Sequence, residues 1–392
     1  MTSLDHALDQ FLARLRERDS LRALRPGTPE SARCVRRGGR TLINFSSNDY
    51  LGLSQHPELV RRACEWTENW GTGSGASRLM TGDHEIHAAV EEKVARLKKT
   101  EAALLLNSGF QANATVLPAL LDERLWGEPP LVLADLRIHA SMHDGLRAAG
   151  VRPVFYRHDD LNDLEERLRQ HASRPGPRIV LTESVFSMDG DCSDVPALAE
   201  LAERWGALLY LDEAHATGVL GPNGMGLSGT VPDGVHVSLG TFSKGLGGFG
   251  AYVACSGRLR DYLVNRCRGL IFSTSLPPGV LGAMDAALDL VPGLDAERSH
   301  LRDLSARLRD GLVAAGVDTS GSTTQIVPAV LGDPKTTLAA SAQLEAAGVL
   351  GVAIRPPSVP RGTSRIRFSV TAAHREADVD AAVTGLTALA VR

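Results

Sequence analysis

Three residues that follow short apolar runs are the best placed in this chain to do chemistry. Asp212 and His215 close the run "ALLYLDEAH", and Lys244 lies 32 positions after Asp212, in "GTFSKG", behind the run "VHVSLG". An amine, a carboxylate and an imidazole in one crevice are the set that pyridoxal phosphate needs. The lysine amine bonds to the cofactor's aldehyde. A carboxylate keeps the pyridine nitrogen protonated, because an opposite charge in contact favours the charged form. Asp212 is the candidate for that role, and His215 for a bond to the ring hydroxyl. The phosphate needs a home as well. "LLLNSGFQAN" runs from a strand through Asn107, Ser108 and Gly109 into a helix. A helix N-terminus offers free N–H groups to an anion, and Gly109 lets the backbone come close. Thr241 and Ser243 add hydroxyls just before the lysine.

Other chemistries that the same residues suggest fail on their context. Asp212-Glu213-Ala214-His215 spells the acidic box of RNA-unwinding ATPases, but no GxxxxGK[ST] phosphate loop accompanies it. The formal net charge of -4 gives no basic footprint for a nucleic acid. "GLGGFG", Gly245 to Gly250, fits GxGxxG, yet a strand-like "AYVACS" follows where a dinucleotide turn requires a helix. No GxSxG elbow occurs. Five scattered cysteines without a CxxC pair suggest no metal site and no disulfide framework, and reduced thiols fit a cytoplasmic protein. No apolar run is long enough to span a membrane, and charges interrupt the N-terminus where a signal peptide would need an apolar core.

The elements that must position these groups are legible as alternation. "EAALLLNS", "PLVLADL", "RPVFYR", "RIVLTESV", "ALLYLDEA", "VHVSLGTFS" and "GFGAYVACS" are short apolar runs separated by helical patterns. That order predicts an α/β fold with a mainly parallel sheet covered on both faces. In such sheets ligands sit beyond the carboxyl ends of the strands, where the candidate residues fall. The expected division is an N-terminal helix and link over residues 1–45, a large domain over 46–282 and a small α/β domain over 283–392. Leu4, Leu8, Phe11, Leu12 and Leu15 share one face of the first helix, which is expected to dock on the body of the protein.

Several longer motifs in order, "NFSSNDYLGL", "GTGSGASRL", "SGFQAN", "ESVFSMDGD", "DEAHATGVLGPNG", "GTFSKGLGGFGAY", "FSTSLPP", "STTQIVP" and "IRPPSVPRGTSRIRFSVTAAH", resemble the α-oxoamine synthases. These are pyridoxal-phosphate enzymes of the aspartate-aminotransferase fold type. The resemblance covers nearly the whole chain and is strongest to the biotin-pathway branch. It implies decarboxylative condensation of a small amino acid with an acyl thioester, L-alanine with a pimeloyl thioester in that branch. The alternative is another member of the family that uses glycine or serine and a different acyl chain. The resemblance makes Lys244 the covalent lysine, with Asp212 on the ring nitrogen, His215 on the ring oxygen and His139 stacked on the ring face. Gly109, Phe110, Ser187 and Thr241 would also serve the cofactor. Arg367 would clamp the amino-acid carboxylate, and Arg22, Asn48, Glu183 and Ser358 would lie near substrate. Ser358 stands where the biotin branch commonly carries threonine. The family also implies a homodimer, with Ser273 or Thr274 reaching a neighbour's phosphate.

Overall fold

The computed structural model describes residues 2–231 and 233–388. The chain forms two compact units, one of residues 48–187 and 192–299, the other of residues 1–47, 188–191 and 300–392. The expected seam at residues 282 and 283 falls within the helix Pro278–Leu290.

Each of the seven apolar runs becomes a strand of one sheet in the larger unit. They are β1 (Ala102–Leu106), β2 (Leu131–Asp135), β3 (Val154–Tyr156), β4 (Arg178–Glu183), β5 (Ala207–Asp212), β6 (Val237–Thr241) and β7 (Ala251–Cys255). The order is β1-β7-β6-β5-β4-β2-β3, with only β7 antiparallel to its neighbours. The runs are continuous because both faces of the sheet are buried, yet the period of two survives inside them. Val132 and Ala134 pack on one face with Ala112, Val116 and Leu117 of the helix Gly109–Leu120. Leu131 and Leu133 pack on the other, with Leu164 and Leu168 of the helix Leu161–Gln170 and Leu198 of the helix Val195–Arg204. A buried leucine contributes roughly 1.5–3 kcal/mol, so both layers are needed to hold the strand ends in place.

In the smaller unit, Ile326–Gly332, Ser364–Ser369 and Ala353–Ile354 form an antiparallel sheet in that order. A second sheet joins Thr28–Ser31, Cys34–Arg37 and Arg40–Asn44 to Val349–Leu350. Part of the expected N-terminal link is therefore strand. Its segments, "TPES" and "CVRR", are four residues long and polar, so no apolar alternation announced them. The docking expected of the first helix is also corrected. Ser3–Glu17 buries none of its residues, and Leu4, Leu8 and Phe11 stay open to solvent.

A histidine ties this unit's stability to pH. His374 stacks on Phe45 at 4.1 Å, and its Nδ1 accepts the Thr371 amide. Burial pushes its imidazole down to about 4 from an ordinary 6.5. The unfolded chain then binds more protons than the folded one between those values, so stability falls as pH drops from 6.5 toward 4. The full effect is on the order of 3 kcal/mol. Urea unfolding at pH 7 and pH 5 checks this: His374→Gln is expected to lose less stability over that interval than the unmodified chain, and an equal loss contradicts it.

Candidate active site

The carboxyl ends of β1, β4, β5 and β6, with the loop after β2, surround one cavity of about 220 Å³. Its walls include Gly109, Phe110, His139, Glu183, Asp212, His215, Thr241 and Lys244. Parallel strands bring these residues together although their positions in sequence span more than a hundred residues.

Lys244 sits in the tight connection from β6 to β7. Phe242 N donates to Gly250 O at 2.9 Å, and Gly247 N to the Lys244 carbonyl at 2.9 Å. Gly250 has φ +98°, and a Cβ there would meet Met284 Cε at 2.3 Å, so this turn requires glycine. "GLGGFG" is thus the turn between two antiparallel strands, in keeping with the strand expected after it.

Asp212 is buried and held by two donors, Ala214 N on Oδ1 at 2.9 Å and Asn113 Nδ2 on Oδ2 at 2.7 Å. Asn113 is itself fixed: its Oδ1 accepts the Tyr210 hydroxyl at 2.8 Å, and its Nδ2 also donates to Ser141 Oγ at 3.0 Å. Ser141 Oγ lies 2.7 Å from His139 Nδ1, which also accepts the Ser141 amide. Nδ1 is therefore an acceptor, and the His139 proton sits on Nε2. Burial holds His139 below its ordinary pKa, Lys244's charge adds to this and Asp212's opposes it. A neutral ring is the result at neutral pH.

Glu183 pairs with Asp212 in the strand register and has the opposite electrostatics. Burial pushes its carboxyl well above the ordinary range and Asp212's charge pushes the same way, against Lys244. Glu183 Oε1 has no hydrogen-bond partner among the described residues. The acidic box also divides. Glu213 turns away from the cavity into a buried ion pair with Lys98, supported by Ser228 Oγ at 2.7 Å and Ser238 Oγ at 2.6 Å. Burial works against the Lys98 charge, but Glu213 beside it outweighs burial and holds its pKa above the ordinary value.

His215 Nδ1 lies 2.6 Å from the Tyr50 hydroxyl, which donates to Asn48 Oδ1 at 3.1 Å. With the phenol proton directed to Asn48, the phenol oxygen is available to accept from Nδ1. Asn48 thus reaches the site through Tyr50. Ser187 does not line the cavity. Arg22, Ser358 and Arg367 belong to the smaller unit. There Arg22 Nη2 donates to Ser358 Oγ at 3.0 Å, and buried Arg367 donates to Ser369 Oγ at 2.6 Å. Arg365, two positions before it, is paired with Asp189 at 2.6 Å.

The cavity fits pyridoxal phosphate. The helix Gly109–Leu120 opens beside it with Ser108 capping only the Gln111 amide, so its first N–H groups remain for an anion. A Cβ on Gly109 would fall 2.6 Å from Thr241 Cγ2, so only glycine leaves that cradle open. Tyr50, Asn113, Ser141 and Tyr210 are the supporting residues that the sequence reading did not assign. Asn113 lies one helical turn past Gly109, which is the signal that could have found it.

Residues 40–386 match the model of the aminotransferase class I and II family. The chain is 55% identical to 8-amino-7-oxononanoate synthase of Gluconacetobacter diazotrophicus, over 98% of this chain and 97% of that one. It is 46% identical to the protein of the same name from Geobacter sulfurreducens, over 96% and 95%. A solved structure of SPT with its PLP internal aldimine superposes with a TM-score of 0.90 at 27% identity, covering 97% of each chain. The chain belongs to the aminotransferase class I and II family of pyridoxal-phosphate enzymes, in its α-oxoamine synthase branch. It is an acyltransferase with pyridoxal phosphate as its cofactor.

Three substitutions separate charge from support. Asp212→Asn keeps the shape and removes the charge, and is expected to slow α-proton exchange of the amino-acid substrate by about 10², or roughly 2.7 kcal/mol. Exchange at a near-normal rate contradicts the role. Asn113→Leu removes one charge-assisted bond from Asp212, and the dissociation constant for pyridoxal phosphate is expected to rise about tenfold. Tyr210→Phe, which loses only a neutral bond, is expected to change it less; equilibrium titration with the cofactor reads both.

Proposed function

We propose that this enzyme condenses L-alanine with a pimeloyl thioester to give 8-amino-7-oxononanoate, carbon dioxide and the free thiol, in biotin biosynthesis. The observation that carries the reading is near-full-length identity of 55% to a protein named for that product. The site residues are compatible with each step. Pyridoxal phosphate, when bound, would supply an electron sink for the pair left on the amino acid's α-carbon. Lys244 would hold the cofactor's aldehyde carbon, and its amine would take the α-proton of the amino acid. Asp212 holds the proton on the pyridine nitrogen, and neutral His139 covers the ring face. His215 would bond the ring oxygen, and Gly109, Phe110 and Thr241 would receive the phosphate. Arg367 matches the alanine carboxylate with its planar fork. A bond then forms between the α-carbon and the thioester carbonyl, the thiolate leaves, and the bond to the carboxylate breaks with loss of carbon dioxide.

Arg22 and Ser358, already hydrogen-bonded to each other, are assigned to the acyl substrate. We place the enzyme in the cytoplasm, as a homodimer. Its five cysteines are free thiols. No helix among the described residues is long and apolar enough to cross a membrane. Leu79, Met80 and Phe272 are exposed on two segments that touch, where Ser275 N donates to Ala76 O at 3.0 Å. They flank Ser273 and Thr274, and burial against a second copy removes that apolar surface from water.

Mass spectrometry of products from a matrix of small amino acids and acyl thioesters tests the reaction. Alanine with pimeloyl thioester is expected to give the largest yield. Preference for glycine or serine with a plain acyl chain replaces this reading with another α-oxoamine synthase activity. Arg22→Ala is expected to leave the spectral response to alanine intact and to impair pimeloyl thioester more than an uncharged chain of similar length. For the assembly, Met80→Glu with Phe272→Glu is expected to give an inactive monomer by light scattering. A fully active monomer contradicts the dimer.

A further inference from the structure

The turn that follows Asp212 is braced from outside the cavity by Lys98, the last residue of the helix Glu85–Lys98. The side chains of Lys98 and Glu213 are both 0% exposed. The Lys98 ammonium meets three acceptors: the Glu213 carboxylate, Met225 O at 2.7 Å and Ser228 Oγ at 2.6 Å. An ammonium has three protons to give, so none is left over. Glu213 is equally engaged. Its Oε1 accepts the Ser228 amide at 3.0 Å, and its Oε2 accepts the hydroxyls of Ser228 and Ser238 beside the ammonium.

The backbone of Glu213 is the pivot of the turn. Its amide donates to Leu239 O of β6 at 2.7 Å, and its carbonyl accepts the amides of Ala216 and Thr217 and the Thr217 hydroxyl. Asp212 lies one residue before it and His215 two after. The turn also bears on the one that holds Lys244. A Cβ on Gly245 would lie 2.6 Å from Thr217 O, and one on Gly218 would lie 2.8 Å from the Gly245 carbonyl carbon. Backbones packed this closely do not shift independently. A displacement of Glu213 therefore reaches Asp212 and His215 along the chain, and Lys244 through packing.

Apolar side chains of similar size fill such a space at comparable stability, because desolvation of two charges offsets much of their attraction. They lack direction, which the bonds to Met225, Ser228 and Ser238 supply. With Lys244 and Asp212 as the residues that hold pyridoxal phosphate, the reading on which this step rests, we infer that Lys98 is a positioning residue for the cofactor site. Through Glu213 it sets the placement of Asp212 and His215 against Lys244, although no residue of its helix lines the cavity.

The test pairs urea unfolding of the cofactor-free chain with titration by pyridoxal phosphate. Lys98→Met alone leaves Glu213 buried without its counter-charge and is expected to unfold. Lys98→Met with Glu213→Gln removes both charges and keeps an oxygen for the Ser228 amide. This paired variant is expected to hold its unfolding midpoint, while its dissociation constant for pyridoxal phosphate rises about tenfold. The pH at which the absorbance of the loaded enzyme changes is expected to move by about half a unit or more, because the placement of Asp212 sets how firmly the ring proton is held. Ser238→Ala removes one donor from Glu213, and is expected to raise the constant about threefold with the midpoint unchanged. A paired variant with the cofactor constant and pH dependence of the unmodified enzyme overturns the inference, whatever its stability. Ser238→Ala decides the case in which the paired variant is unstable: a raised constant at an unchanged midpoint supports the inference, and an unchanged constant overturns it. Borohydride labelling keeps the two readings apart. A label on a lysine other than Lys244 removes the cofactor-site reading, whereas a label on Lys244 with unmoved constants removes this inference alone.

Discussion

The site depends on how the buried carboxyl group of Asp212 is held by hydrogen-bond donors. Its two oxygens receive the Ala214 amide and the Asn113 side chain. Glu183, beside it in the register, has no partner for Oε1 among the described residues, and burial with Asp212's charge pushes it toward the neutral acid. Two carboxyl groups on adjacent strands thus sit in different hydrogen-bonding environments. Asp212, the one with donors on both oxygens, is the one proposed to face a pyridine nitrogen. Asn113 extends the arrangement through Ser141 to His139, so the Asp212 carboxyl group and the His139 imidazole are oriented by one amide.

The sheet explains why these groups meet. Its continuous apolar strands are buried on both faces, and polar residues gather at the carboxyl ends of three of them. Asp212 ends β5, Glu183 ends β4, and Lys244 is placed by the turn after β6. The tetrapeptide Asp212-Glu213-Ala214-His215 then splits between two tasks. Asp212 and His215 line the cavity, while Glu213 neutralises Lys98 in the interior. A buried pair of this kind is costly to break from one side, since the remaining charge is left unpaired.

What the sequence discloses follows from how local each signal is. All seven large-sheet strands were readable because a strand buried on both faces is an uninterrupted apolar run. Lys244, Asp212, His215, Gly109 and Thr241 were readable because each sits directly after such a run, and they share one cavity. The hairpin over residues 28–37 was not readable, since its residues are polar and its pairing with Arg40–Asn44 is tertiary. Tyr50 was invisible for a related reason. An aromatic in "NDYLGL" looks like core, and only the fold brings its hydroxyl to His215, 165 positions away. The open face of Ser3–Glu17 has the same amphipathic pattern as a docked helix, so periodicity could not say that Leu4, Leu8 and Phe11 would stay exposed.

The central claim is that Lys244 anchors pyridoxal phosphate in the cavity at the strand ends. Borohydride reduction of the cofactor-loaded enzyme, followed by peptide mapping, tests it directly. The account predicts one pyridoxyl group per chain, on the peptide that contains Lys244, and none in Lys244→Ala. A pyridoxyl group on another lysine, or undiminished labelling in that variant, would contradict it.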